Sequence, residues 1–395
     1  LSEYMKMCMT HPKYGYYTKQ YPIGFKGDFI TSPEISQMFG ELIGLWVVQA
    51  WMDHNKPPEF SLVELGPGNG TLMEDILRAT KSISEFHKAL KITLIEISPS
   101  LQKLQKKVLK GYPINWKKSL YNLPNIPTII IANEFFDALP IRQFVFKKNK
   151  WMEIIVSLKD YNNTKSNEFC FGLKKVTTLP QELNSFKQKE NQIYEISSEI
   201  KKNILFISKH LKKNLGACLI IDYGKNNNIG NTLQSVKKHK KNMIFDNIGK
   251  ADITYLVNFD LLKNFLKIQN LNVNNVVSQS FFLKRVGILK RAGILSNKMS
   301  FKEKSDLYYR LQRLLDPKQM GQLFKVICGE LVEAIKLCVK NKRVATKTRR
   351  KTNKTQILPT QKLKDRFERF LFFNIGIIKL KTSILDLQLH RQYQL

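Results

Sequence analysis

The feature that most constrains this chain is a short buried strand that runs into a glycine-rich turn and then into a helix. Residues 60–65 are mostly apolar, the turn reads Gly66-Pro67-Gly68-Asn69-Gly70, and helical spacing of apolar residues follows. Glycines let the backbone approach a ligand without a Cβ clash and adopt positive φ. The helix that follows presents free N–H groups at its first turn. The unit therefore predicts a nucleotide-type ligand at the end of the strand.

Two carboxylates narrow the choice of ligand. Glu64 immediately precedes the turn, and Glu96 ends the next predicted strand, about 26 residues after Gly70. An acid in that place can accept both ribose hydroxyls of an adenosine and would repel a 2′-phosphate, which disfavours NADP. Glu64 and the glycine backbone suit the amino-acid part of S-adenosylmethionine, whose sulfonium is positive. A solvated carboxylate beside an ordinary glycine turn is the alternative that these residues leave open.

The surrounding sequence predicts an α/β fold with a doubly wound parallel sheet. Strand-like and helix-like segments alternate over residues 60–65, 71–80, 91–97, 99–110 and 128–132. Consecutive strands joined through helices are typical of parallel sheets, which bind ligands at the carboxyl ends of their strands.

The flanking regions differ in pattern. Residues 34–51 have the apolar spacing of a buried helix, with Ser32 as its expected N-cap and Pro33 in its first turn. After Pro140, short alternating segments predict a β-rich insertion. A helix is expected over residues 190–211 and strands near 276–285. The predicted organisation is an N-terminal helical cap (1–56), a Rossmann-like core (57–140 and 190–327), a β-rich substrate insertion (141–189) and a basic, partly disordered extension (328–395).

A candidate acceptor loop, residues 133–140, follows the third buried strand of the core. Methyl transfer is an in-line displacement in which the enzyme mainly positions the acceptor and excludes water. Glu134 and Asp137 could orient a cationic acceptor such as a guanidinium or an amine, and Asn133 could supply a neutral hydrogen bond. The alternative is a capping and turn sequence in which Asp137 serves the backbone.

Two further segments have equally open interpretations. Residues 27–32 could fold over the cofactor, or could simply begin the next helix. Residues 221–224 end a strand of the same sheet, where they could line the acceptor site or only turn the chain.

Composition and charge test other classes of function. The formal net charge is +33, and residues 331–395 hold 16 Lys and Arg against 4 Asp and Glu. The rest of the excess is Lys scattered beside Asn, so nucleic-acid binding is disfavoured as the main role. The five Cys and six His form no cluster with metal-ligand spacing, so no metal is expected. No run of about 18 uncharged apolar residues occurs, so no membrane span is expected.

The cellular setting is only partly constrained. The scattered Cys indicate a reducing compartment. No targeting segment is recognisable, but the sequence starts at Leu1, which leaves targeting undecided. The Lys- and Asn-rich composition favours a bacterial cytoplasm, with the mitochondrial matrix as the expectation for a eukaryotic host. The oligomeric state is left open, a homodimer included.

Several blocks of this sequence resemble the MidA-like S-adenosylmethionine-dependent methyltransferases, which include the mitochondrial assembly factor for respiratory complex I. The most specific blocks are residues 27–36 and 133–140, and the resemblance extends in order over residues 1–327. Other matching blocks include residues 14–17, 64–70, 219–224, 251–254 and 320–326. Beyond about Ile327 the sequence stops resembling the family.

The resemblance implies the Rossmann-like fold of class I methyltransferases, S-adenosyl-L-methionine as cofactor, and a protein substrate methylated on arginine, with a complex I subunit as the expected partner. It assigns the cofactor-binding role to Glu64, Gly66, Gly68, Gly70 and Glu96, and the acceptor loop to Asn133, Glu134 and Asp137. Two alternatives stay open: a methyltransferase-like assembly chaperone with little turnover, and a nucleic-acid methyltransferase.

Overall fold

The computed structural model describes residues 1–19, 24, 27–159, 168–227 and 230–331. The N-terminal region is helical, with α1 (Ser2–Thr10), α2 (Tyr16–Lys19), α3 (Ser32–Ile35) and α4 (Gln37–Asp53). The apolar spacing of α4 buries Met38, Leu42 and Trp46 against the central sheet, as the sequence predicts.

The predicted start of this helix is wrong. Ser32 lies inside the short helix α3 rather than capping the long one. Ser36 adopts an extended conformation between the two helices, and its Oγ accepts a hydrogen bond from the N–H of Met38 at 3.3 Å. Ser32 and Ser36 are both good helix-start residues, and apolar spacing alone does not choose between them.

The first half of the core alternates strands and helices: β1 (Phe60–Leu65), α5 (Thr71–Thr80), α6 (Ser84–Ala89), β2 (Leu90–Ile95), α7 (Pro99–Val108), β3 (Ile114–Lys117) and β4 (Thr128–Asn133). The four strands that follow are β5 (Arg142–Lys147), β6 (Lys150–Leu158), β7 (Phe169–Lys175) and β8 (Ile193–Ile196), which pair as a separate antiparallel sheet.

The chain then returns to the core through α8 (Ser198–Asn214), β9 (Gly216–Lys225), β10 (Gln234–Lys237), β11 (Lys240–Asn242), β12 (Asp252–Thr254), β13 (Val257–Asn258), α9 (Phe259–Ile268), β14 (Asn272–Val273) and β15 (Val277–Ser278). It ends its described part with α10 (Gln279–Val286), α11 (Ile288–Ser296), α12 (Phe301–Leu315), α13 (Met320–Leu323) and β16 (Phe324–Leu331).

The central sheet has the order β3-β2-β1-β4-β9-β16-β14. The strands β1, β2, β3, β4 and β9 run parallel, and β16 is antiparallel to both of its neighbours. The chain moves outward from β1 to β3 and then crosses back to β4. This switch in direction opens a crevice at the carboxyl ends of β1 and β4, where ligands bind in such sheets.

Both faces of the sheet are covered, which explains the continuous apolar strands. Leu62 of β1 belongs to a core layer shared with α4 and α5, whereas Val63 belongs to a layer shared with α8 and α9. Within the described residues, no helix combines the length and the apolarity that crossing a membrane requires.

Two sequence predictions fail in the second half of the chain. The helix expected over residues 190–211 is a strand, β8, followed by α8, whose first turn is capped by Ser197. The strands expected near 276–285 are the two-residue strand β15 and the helix α10. In both places a short strand is fixed by pairing with a distant partner, β5 or β16, which local pattern does not reveal.

The boundary predicted at residue 328 is also displaced. Strand β16 continues through Leu331 and pairs with β9, so Cys328 to Leu331 are part of the core sheet. The rest of the predicted basic extension, residues 332–395, lies outside the described residues.

Candidate active site

The glycine-rich turn sits at the carboxyl end of β1. Gly66, Gly68 and Gly70 have φ values of 60°, 54° and 89°, a region that residues with a Cβ adopt only at a cost. Gly70 is the N-cap of α5 and offers no side chain, so the first N–H groups of that helix remain available to a ligand.

A cavity of about 420 Å³ opens at the ends of β1, β2 and β4. A cavity of this size suits a nucleoside-sized ligand. Six residues predicted from the sequence lie in its wall: Glu64, Gly66, Gly68, Glu96, Asn133 and Glu134. The predicted residues Gly70 and Asp137 are not among the lining residues; Gly70 packs behind the turn, against Gln105.

Glu64 is the most deeply buried carboxylate of this wall, with 2% of its surface exposed. Its Oε2 atom has no hydrogen-bond partner among the described residues. Burial raises the pKa of Glu64 to about 8, and the nearby Glu96 adds to the rise. A buried carboxyl oxygen without a hydrogen-bond partner lowers the stability of the folded protein. It is suited to a ligand that brings a positive charge or a hydrogen-bond donor.

Glu96 follows directly after β2 and is held in a polar network. Its Oε1 accepts the N–H of Ser98 at 2.8 Å, and its Oε2 accepts Gln105 Nε2 at 3.1 Å. The same Gln105 nitrogen donates to the Gly68 carbonyl at 2.8 Å, and Trp116 Nε1 donates to Gln105 Oε1 at 3.0 Å. Gln105 therefore links the acidic residue of the second strand to the glycine turn.

Sequence reasoning missed Glu34, which lines the same cavity from α3. Its Oε1 accepts hydrogen bonds from Asn69 Nδ2 at 3.1 Å and from Thr71 Oγ1 at 2.6 Å. Glu34 thus ties the N-terminal helices to the turn. The sequence feature that could have indicated Glu34 is its place inside the specific block 27–36. That block has no glycine-rich turn to indicate a ligand.

Among the described residues, the cavity wall therefore carries five carboxylates, Glu34, Glu64, Glu96, Glu134 and Glu199, against two lysines, Lys6 and Lys118, although the protein as a whole is strongly basic. This donor set fits S-adenosylmethionine, which carries a sulfonium, an ammonium and ribose hydroxyls. It does not fit a pyrophosphate, which the carboxylates would repel. Within the described ranges, no group of three metal-ligating side chains is present.

The pKa of Glu64 predicts how affinity for S-adenosylmethionine depends on pH. Because the pKa of Glu64 is about 8, this carboxyl is mostly neutral in the free protein when the pH is below that value. Pairing with a cation requires its ionised form. We expect affinity to rise about tenfold between about pH 6 and about pH 7.5. Isothermal titration at several pH values measures it. The variant Glu64→Gln serves as the control, because its profile records only the titration of the ligand and of other groups; equal slopes would remove Glu64 from this role.

The acceptor loop begins at the end of β4. Glu134 has a φ of 52°, and its Oε1 accepts the N–H of Ser32 at 2.8 Å and Asn133 Nδ2 at 3.1 Å. Burial raises the pKa of Glu134 to about 7. The Oδ1 atom of Asn133 has no hydrogen-bond partner among the described residues. The loop therefore offers a carboxylate and an amide oxygen at the edge of the cavity.

The loop belongs to a group of acids that sequence reasoning only partly found. Asp137 lies in the loop itself, and Asp222 and Asp252 are near enough to act on it through their charge. Burial raises the pKa of Asp137 well above its ordinary value, and Asp222, Asp252 and Glu134 raise it further. Burial likewise raises the pKa of Asp222 and of Asp252, each to about 7. These three residues and Glu134 are called the acidic cluster below.

Asp222 fixes the backbone of the loop. Its Oδ2 accepts hydrogen bonds from the N–H groups of Phe136 at 2.7 Å and of Phe135 at 3.2 Å. Its Oδ1 accepts a hydrogen bond from the N–H of Tyr223 at 2.8 Å. Of the two sequence interpretations of residues 221–224, neither includes this anchoring role. Tyr17 donates a hydrogen bond to Asp252 at 3.1 Å and also lines the cavity.

Comparisons with known proteins agree with this architecture. Residues 42–277 match the family model described as S-adenosyl-L-methionine-dependent methyltransferase. The chain is similar to "Protein arginine methyltransferase NDUFAF7, mitochondrial" of Danio rerio, with 32% identity covering 82% of each protein. The Mus musculus protein of the same name is 34% identical, covering 82% of this chain and 79% of the mouse protein.

A solved structure shares the fold. It is a COG1565 superfamily member from Burkholderia thailandensis bound to S-adenosyl-homocysteine, with 23% identity and a TM-score of 0.71. The match covers 84% of this chain and 87% of the bacterial one.

Proposed function

The chain belongs to the family of S-adenosyl-L-methionine-dependent methyltransferases, and from that premise we propose that it methylates arginine side chains of a protein. The family supplies the donor, S-adenosylmethionine, and the reaction class, methyl transfer. The acceptor is the proposed part. Relatives that are 32–34% identical are named protein arginine methyltransferases, and the acidic cluster gives the proposal its physical support.

The observation that carries the proposal is that no ion pair among the described residues neutralises this cluster, although the charge of Arg313 lowers the pKa of Glu134 from a greater distance. Within the part of the chain that the structure describes, none of the four carboxylates forms an ion pair with Lys or Arg. Burial is the main cause of the raised pKa values of Asp137 and Asp222, and repulsion by neighbouring acids of the cluster raises both further. A guanidinium would relieve that repulsion and would bring five N–H donors in a fixed plane.

The roles of the chain's own residues follow from their positions. When bound, the cofactor supplies an electrophilic methyl group. Glu134 faces the cavity, so it can accept an N–H of the guanidinium and take up the proton released as the methylated nitrogen forms. Asn133 Oδ1 can accept a second N–H. Asp137 belongs to the loop but does not line the cavity, so it acts through its charge and through the position of Glu134. Asp222 keeps the loop in place.

We further propose that the acceptor is a subunit of respiratory complex I, as the resemblance in sequence implies. For the compartment we propose the bacterial cytoplasm in a bacterial host and the mitochondrial matrix in a eukaryotic one. The relatives that are 32–34% identical are named mitochondrial.

The test is mass spectrometry of arginine methylation in complex I isolated from cells with and without this protein. We expect at least one arginine to carry methyl groups only when the wild-type chain is present. Re-expression of Gly68→Val should not restore them. Unchanged arginine methylation would overturn the proposed acceptor. Labelled methyl groups appearing in the nucleic-acid fraction would favour the nucleic-acid alternative, and complex I assembly that persists without methylation would favour a chaperone.

A further inference from the structure

Phe135 occupies a boundary between the two halves of the candidate site. It lines the cavity, and its ring lies directly over the glycine turn: a Cβ added to Gly66 would stand 2.9 Å from Phe135 Cδ2. The ring also makes an edge contact with Phe136, with centroids 5.2 Å apart. The Phe135 N–H donates to Asp222. The ring therefore packs against the glycine turn and against Phe136, and the hydrogen bond to Asp222 holds its backbone.

The sheet register explains why this contact joins the two halves. Strands β1 and β4 are parallel neighbours, and Leu65 pairs with Ala132. The glycine turn leaves β1 at the same level at which the acceptor loop leaves β4. Glu64 and Gly66 lie on the donor side of this boundary, and Asn133 and Glu134 lie on the acceptor side.

Methyl transfer restricts what can occupy this boundary. The donor sulfur, the methyl carbon and the acceptor nitrogen must lie in line, with the reacting atoms about 3–3.5 Å apart before transfer. The sulfonium is the part of the donor nearest to the acceptor. It therefore belongs at the meeting point of the glycine turn and the acceptor loop, where Phe135 touches Gly66.

We propose that the ring of Phe135 recognises the sulfonium and makes the site prefer the charged donor, S-adenosylmethionine, over the neutral product, S-adenosylhomocysteine. The face of an aromatic ring attracts a cation, and the attraction grows when water is excluded. After transfer the charge on sulfur is gone and so is this attraction, which favours release of the product. The inference rests on the proposed placement of donor and acceptor in this cavity.

A purely apolar role for Phe135 makes a different prediction. If the ring only fills space above Gly66, it contacts donor and product equally, because the two ligands differ by one methyl group and one charge. Removal of the ring would then lower the affinity for donor and for product by the same factor. The ratio of the two affinities separates the interpretations, whereas either affinity alone does not.

The experiment is isothermal titration of the full chain with S-adenosylmethionine, with S-adenosylhomocysteine, and with an analogue that has a protonated amine in place of the sulfonium. Phe135→Leu keeps an apolar side chain and removes the ring face. We expect it to lose about tenfold more affinity for the donor and for the amine analogue than for the product. Phe135→Tyr keeps the ring and should retain the wild-type ratio.

Ile97→Ala is the matched control. Ile97 lines the same cavity but has no ring, so its loss should weaken all three ligands by similar factors. All ligands are titrated into the same preparation, so a misfolded fraction changes the apparent stoichiometry and leaves the ratio intact. An unchanged ratio in Phe135→Leu, or an equal change in Ile97→Ala, would overturn the inference. Failure of the wild-type chain to bind any of the three would instead overturn the proposed donor site.

Discussion

Gly68→Val is expected to abolish measurable binding of S-adenosylmethionine, with a loss of at least about 100-fold in affinity. Gly68 has a φ of 54° and lines the cavity. A β-branched side chain is strained in that conformation and would project into the ligand space. The change would also shift the Gly68 carbonyl that accepts a hydrogen bond from Gln105, which in turn holds Glu96. Isothermal titration measures the loss.

Gly111→Val separates the ligand effect from the backbone effect. Gly111 also has a positive φ, 95°, but an added Cβ there would meet no atom of the described residues within 4 Å, and the residue is not part of the cavity wall. Both variants carry backbone strain, so both should melt at a lower temperature than the wild type. Only Gly68→Val should lose the ligand. If Gly68→Val binds as the wild type does, the glycine turn is not the donor site.

Glu134→Gln is expected to reduce methyl transfer at least about 100-fold while leaving affinity for S-adenosylmethionine within about threefold, since a general base contributes on that scale. Glutamine keeps an oxygen that can accept the Ser32 N–H, so the loop should hold its place. It removes the charge that orients a guanidinium and the group that takes its proton. Single-turnover transfer at saturating donor, combined with isothermal titration, separates the two effects.

The pH dependence gives an independent check on this variant. Burial holds the pKa of Glu134 at about 7 in the free protein, and a proton acceptor must be ionised. Transfer by the wild type should therefore rise with pH through that value, and the rise should disappear in Glu134→Gln. Glu330→Gln is the matched control: Glu330 is also buried with a pKa raised to about 7, but lies at the opposite end of the sheet. Full transfer by Glu134→Gln would exclude the proposed role.

The sequence places most of the proposed donor residues at the cavity wall because that part of the chain is local. The strand, the glycine turn and α5 are contiguous, and Glu96 is only one strand further along. Each of these features has a pattern within about ten residues, the range over which periodicity and turn residues are informative.

The acceptor half is less accessible because distant segments build it. Glu34 reaches the glycine turn from α3, and Asp222 anchors the loop from β9. Nothing in the local pattern of either residue specifies these contacts. The same reason explains the misassigned strand β8, whose pairing with β5 crosses about fifty residues. Asn133 and Glu134 directly follow a recognisable buried strand, so the sequence predicts their place in the loop. It does not predict the positive φ of Glu134.

The anchoring of the acceptor loop by Asp222 also sets an order of events during synthesis. Asp222 lies 86 residues after Phe136, and the four-stranded antiparallel sheet is made in between. Strands β1 to β4 can pair while β9 is still inside the ribosomal exit tunnel or has not yet been synthesised. We expect a nascent chain to complete its donor pocket first and to hold the acceptor loop only once β9 has joined the sheet.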